Sequence, residues 1–63
     1  MDRIAINKKT ALKIYWDIGF NSEFLLKLAN ASLSKLSQVS EGYYYADEVT
    51  KQAQFSYNII KGV

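Results

Sequence analysis

Glycine stands at only three positions of this 63-residue chain, 19, 42 and 62, and proline at none. So few breakers leave long segments free to run as regular structure. The glycines mark where those segments stop, because Gly is the favoured residue just past a helix end. No repeat, low-complexity tract or linker interrupts the division. A chain of this size is one domain at most, here residues 1–63, and it buries only about 60% of its unfolded surface. Small domains often add disulfides or metals as staples. Cys and His are both absent. That excludes disulfides, thiolate and imidazole metal sites, and a Cys or His nucleophile or base. Dense packing, or burial against a partner, must supply the stability instead. A hydrophobic fraction of 49% is rich for a chain with so little interior, so some apolar surface is expected outside.

The first segment, "NKKTALKIYWDIG", reads as a helix from about Lys8, capped by Asn7 or Thr10 and ended by Gly19. Ala11, Ile14, Tyr15 and Ile18 recur at helical spacing, with Leu12 and Trp16 on an adjoining strip. The preceding "RIAI" reads as an added helical turn or a short extended arm. The second segment starts at Asn21 as N-cap, with Glu23 in the first turn where the helix dipole favours an acid. Phe20 and Leu25 have the spacing of a hydrophobic staple. Leu25, Leu28, Ala29, Ser32, Leu33, Leu36 and Val39 form an inward stripe, opposite Glu23, Lys27, Asn30, Ser34 and Gln38. In the third segment, Ala53, Phe55, Tyr57 and Ile59 alternate with polar residues as in a strand. Asp47, Lys51, Gln54, Asn58 and Lys61, however, collapse onto one arc at about 100° per residue, and this helical template explains more positions. The expected fold is all-α: three short helices at about 8–18, 22–39 and 44–61 in a small bundle or open helical array. Whether residues 40–44 break the helix stays open.

Three adjacent tyrosines, Tyr43, Tyr44 and Tyr45, cannot all face one core. If the third helix includes them, Tyr45 falls on the core side with Val49 and Ile60. Tyr44 falls on the strip of Glu48, Phe55 and Ile59, and Tyr43 near Gln54 and Lys61. Phe55 and Ile59 widen the apolar arc to about 200°, more than a helix on a small globule needs. Tyr is enriched at protein interfaces. The leading expectation is therefore a small protein-binding regulator or inhibitor that acts sterically through an aromatic-rich helical face. Tyr44, Phe55 and Ile59 would be its anchors, with Tyr43 and Lys51 at the rim. The partner would be another protein, a second copy in a homodimer, or both.

The run "LLKLANASLSKLSQVSEG" resembles the helix-turn-helix of bacterial repressors. "NAS" stands at the turn, and Leu36 and Val39 take the apolar places of the reading helix. It departs from that pattern at Leu26, where a small residue is usual, and at Asn30, where the turn glycine would be. The resemblance implies DNA binding through Lys27, Ser34, Lys35 and Gln38. No Arg joins them, although DNA binders need several cationic phosphate contacts. A third expectation is a small structural subunit of a larger assembly.

Arg3, Lys8, Lys9 and Lys13 form a basic cluster, partly offset by Asp2 and Asp17, and read first as a solvated surface. The formal net charge is +2, so nucleic-acid binding is possible on charge but not demanded by it. No pair of acids is placed for acid–base work, and no Gly-rich phosphate loop exists. The chain therefore reads as a non-enzyme without cofactor or metal. No run of 18 apolar residues suggests a membrane span, and the start lacks a signal-peptide core, which together give a cytoplasmic expectation. Lys, Asn, Ile and Tyr make up 22 of the 63 residues. Such usage accompanies AT-rich coding DNA, as in a low-GC bacterium, its phage or a mobile element.

Overall fold

A computed structural model describes residues 3–62. The element order is β1 (Ala5–Asn7), α1 (Lys8–Ile18), α2 (Glu23–Leu33), β2 (Gln38–Ser40), β3 (Tyr43–Tyr45) and α3 (Ala46–Lys61). The all-α expectation is overturned. Three helices pack with a three-stranded antiparallel sheet of order β1-β3-β2, which makes the fold mixed α/β. Asp2, counted among the acids near the basic cluster, lies outside the described residues.

α1 occupies the expected span. Asn7 caps it, its side-chain oxygen accepting the Thr10 N–H at 2.9 Å. Gly19 ends it, its own N–H returning to the Tyr15 carbonyl at 3.1 Å. A Cβ at Gly19 would run into the Tyr57 ring, and the backbone there has φ +157°. α2 is capped by Ser22 rather than Asn21, the Ser22 hydroxyl accepting the Leu25 N–H at 3.2 Å. The link between α1 and α2 is thus the four residues Gly19–Phe20–Asn21–Ser22.

α2 ends at Leu33, not at 39. The Ser34 hydroxyl donates back to the Ala31 carbonyl at 2.7 Å. The Lys35 and Leu36 amides bond only three residues back, to Ser32 and Leu33, which tightens and closes the last turn. The chain then leaves as β2. Leu36 still packs against the core, but Leu28 and Val39 are exposed and drop out of the inward stripe.

β2 and β3 form a hairpin in which Ser40 pairs with Tyr43 across Glu41 and Gly42. Gly42 takes φ +82° in open space, so the need there is conformational rather than steric. Its N–H donates to the Gln38 side-chain oxygen at 2.8 Å. The tyrosine run is β3, not the start of a helix. Aromatic residues suit strands, and successive strand side chains point to opposite faces. Tyr44 therefore turns inward opposite Ile6 and is buried. Tyr43 and Tyr45 face the other way. The expected roles of Tyr44 and Tyr45 are exchanged. β1 confirms the extended-arm alternative for "RIAI", with the Ala46 N–H bonded to the Ile4 carbonyl at 2.8 Å. α3 consequently starts at Ala46, not 44. Its polar arc is as expected: Asp47, Lys51, Gln54, Asn58 and Lys61 are all exposed.

The core consists of Ala11, Tyr15, Phe20, Ala29, Leu33, Tyr44, Val49 and Ala53. Each helix presents one fully buried alanine, and this brings the helix axes close. Phe20 meets the Tyr15 ring edge-on at 5.2 Å and the tilted Tyr57 ring at 6.1 Å. The Tyr15 hydroxyl donates to Ser32 Oγ at 3.1 Å, and Ser32 and Ser56 share a further bond of 3.1 Å. The Gln52 side-chain amide donates to both serines. Among the described residues no buried side-chain polar atom lacks a partner.

Candidate functional site

Two helix faces remain uncovered. On α2, the residues facing away from Leu25, Ala29 and Leu33 are Glu23, Phe24, Lys27, Leu28, Asn30 and Ala31, and all six are exposed. At about 100° per residue they span the whole outer half of the helix. Phe24 is 68% exposed, as much in solvent as a surface lysine would be. The polar members follow from the sequence pattern. Phe24 was missed, although its position off the inward stripe is the signal that marks it.

The DNA-contact candidates all reach the surface, but they do not form the expected reading helix. "NAS" lies within α2, so a turn at 30–32 is overturned. The short turn between two helices is at 19–22, between α1 and α2. Lys27 projects from the outer face of α2. Ser34 and Gln38 hold the helix end and the hairpin through the bonds described above, while Lys35 stands in the turn between them. β2 is exposed throughout, so α2 and the ribbon are both accessible.

The second open face is on α3. Lys51 and Phe55 line a shallow depression of about 350 Å³ with Leu36, Glu48 and Gln52. Phe55 is 60% and Ile59 55% exposed, with Ile59 one turn further along. Tyr43 belongs to the ribbon, not to this strip. Tyr44 is withdrawn as a surface anchor: it is core, because the strand's alternation points it at Ile6 and the helices.

The basic cluster is divided. Arg3 is held at the N-terminus of α3. Its guanidinium donates to Asp47 at 3.0 Å and Glu48 at 2.7 Å, and lies 3.7 Å from the centre of the Tyr45 ring. The hydrogen bond from Arg3 holds the Asp47 carboxyl below its ordinary range, and bonds to Asp47 and then Glu48 raise the guanidinium's own pKa. Arg3 is therefore a clasp between the N-terminal strand and α3, not a cation available to a ligand. Lys8, Lys9 and Lys13 remain exposed on α1. Among the described residues no group of three acids is placed to hold a metal ion. None of the described helices is long and apolar enough to cross a membrane.

Comparison with family models, with curated proteins and with solved structures returns no match to this chain.

Proposed function

We propose that the chain binds duplex DNA, with α2 as the reading helix. The observation that carries this is α2 itself: an uncovered outer face, held to α1 by a four-residue turn containing Gly, with the edge strand β2 also exposed. A turn of this length, with Gly in it, is compatible with a helix-turn-helix. The major groove admits an α-helix, and α2 offers one. The side chains on offer match base edges. Phe24 and Ala31 suit thymine methyls, Asn30 suits adenine, Lys27 suits guanine and Glu23 suits the cytosine amino group. Lys8 and Lys35 are the candidates for phosphate. A small regulator of this kind, encoded by a phage or mobile element with AT-rich DNA, fits the residue usage.

The test is fluorescence anisotropy with random-sequence duplexes, followed by selection of the tightest site. Binding should weaken steeply as salt rises from about 50 to 200 mM. Lys27→Ala and Asn30→Ala should each lose about 1–3 kcal/mol of discrimination at one base position. No duplex binding at the lowest salt would end the proposal.

Phe55 and Ile59 favour a second reading, in which α3 contacts a protein. Anchors of this kind can cost about 2 kcal/mol or more on truncation. Under this reading Phe55→Ala leaves DNA binding by a single copy unchanged and weakens association, as read by light scattering or partner capture.

A further inference from the structure

The junction of α1 and α2 leaves an open groove of about 410 Å³, lined by Lys9, Thr10, Leu12, Lys13, Trp16 and Leu26. Its apolar surface comes from Leu12, Leu26 and Trp16, and Trp16 is 47% exposed. Lys9 and Lys13 stand one helical turn apart on the rim. No carboxylate lines the groove. Asp17, one turn beyond Lys13, makes no ion pair with it; the ion pairs among the described residues run from Arg3. Lysine stems cover apolar surface while their ammonium groups stay free at the edge. The lining thus combines an apolar floor, a large aromatic and two unneutralised cations.

We infer that this groove receives an acidic amphipathic segment of a different protein, whose apolar side chains meet Trp16, Leu12 and Leu26 while its carboxylates meet Lys9 and Lys13. An amphipathic helix laid into an apolar groove is a recurring mode of recognition, and Trp is the residue most often found at its energetic centre. Duplex DNA satisfies only half of this lining. Its outer surface offers phosphate to the lysines but nothing apolar to the floor, since its bases are stacked inside. A second copy of the chain lacks the complementary segment. Asp17, Glu23 and Glu41 are isolated along the sequence, and Asp47 and Glu48 are both engaged by Arg3. The inference stands independently of the DNA-binding proposal, which uses the outer face of α2.

Trp16 is the only tryptophan, so its fluorescence reports on this groove alone. The probe is a synthetic amphipathic peptide with Leu and Phe at helical spacing and Asp or Glu at every other position. It is titrated into the full chain beside a control peptide in which each acid is replaced by Lys, and beside a random-sequence duplex. The acidic peptide should give a saturable blue shift and the basic one none. The double variant Lys9→Glu, Lys13→Glu should bind about tenfold or more weakly while keeping its helical circular dichroism. Both side chains are exposed, so the variant should fold. Leu26→Ala supplies a second, uncharged variant and should also weaken the shift. No shift with the acidic peptide at about millimolar concentration, or an equal shift with the basic peptide, overturns the inference. A shift produced by duplex alone and lost on Lys9→Glu, Lys13→Glu overturns it in favour of phosphate.

Discussion

The inner seam of the three helices and their outer faces contain the same kinds of side chain, arranged in opposite ways. Inside, each helix meets the others through an alanine: Ala11, Ala29 and Ala53 are all fully buried. The large buried rings are Tyr15, Phe20 and Tyr44. The polar groups that come with such close approach satisfy one another, through Tyr15, Ser32, Ser56 and Gln52. Outside, Trp16, Phe24, Phe55 and Ile59 face solvent with no such company. Close helix approach makes a thin core, and a thin core has no volume for these side chains. The contrast teaches that their exposure comes from the packing, and it leaves the protein with more apolar surface than its fold consumes. An exposed aromatic of this sort is free to serve a partner because the fold does not need it.

Five substitutions would break or sharpen this contrast. Tyr44→Ala should cost the most, about 3–5 kcal/mol in chemical denaturation, as for other large buried rings. A loss under about 1 kcal/mol would show the sheet to be an ornament on a helical core. Gly19→Ala should follow at about 1–3 kcal/mol, because the added methyl meets the Tyr57 ring. In a Tyr57→Leu background the penalty should shrink, and a double-mutant cycle measures the coupling. Tyr15→Phe should cost about 0.5–1.5 kcal/mol, the usual net value of a hydrogen bond. It should also flatten the alkaline limb of the stability curve. Burial pushes the Tyr15 phenol up, against a smaller opposing effect of its Ser32 bond. Its contribution is therefore complete below the unfolded value of about 10 and is lost as pH rises through the folded one. Smallest of all, Phe24→Ala and Phe55→Ala should each change stability by no more than about 0.5 kcal/mol. A larger loss at either would move that residue from the outer face to the core and remove its claim to a partner.

The helices were legible wherever a segment was long enough to show a period. α1 runs from its Asn7 cap to Gly19 as the sequence pattern requires, and the polar arc of α3 lies in solvent at each of its five positions. The strands were illegible for a physical reason. Each is three residues long, shorter than one full helical turn, so too few positions exist to tell a period of 2 from one of 3.6. Extending the α3 pattern back over the tyrosines imposed the wrong period, and this exchanged Tyr44 with Tyr45. Leu36 and Val39 continued the α2 stripe on paper, and nothing in those letters announces that the Ser34 hydroxyl closes the helix. The candidate site was legible in part. Lys27, Lys35, Lys51, Phe55 and Ile59 all reach the surface. Phe24 and Trp16 were passed over, because an apolar residue beside an inward stripe looks covered until the neighbouring helix is placed. The turn at 19–22 was read as an abrupt link between two helices, and it is one.

The pairing of β1 with β3 has a consequence for how the chain reaches its native state. Ala5 lies opposite Tyr45, and Ile6 opposite Tyr44, so the first strand has no bonding partner until some forty residues later in the chain have been made. The strand between them in the sheet is the last of the three to be synthesised. α1 and α2 can form early from local contacts, but the sheet closes only across a long loop, at an entropic cost that rises slowly with length. Non-local closure of this kind slows folding. A nascent chain stopped before Tyr43 would have an unpaired β1 and nothing opposite Ile6. The clasp of Arg3 on Asp47 and Glu48 likewise waits for α3.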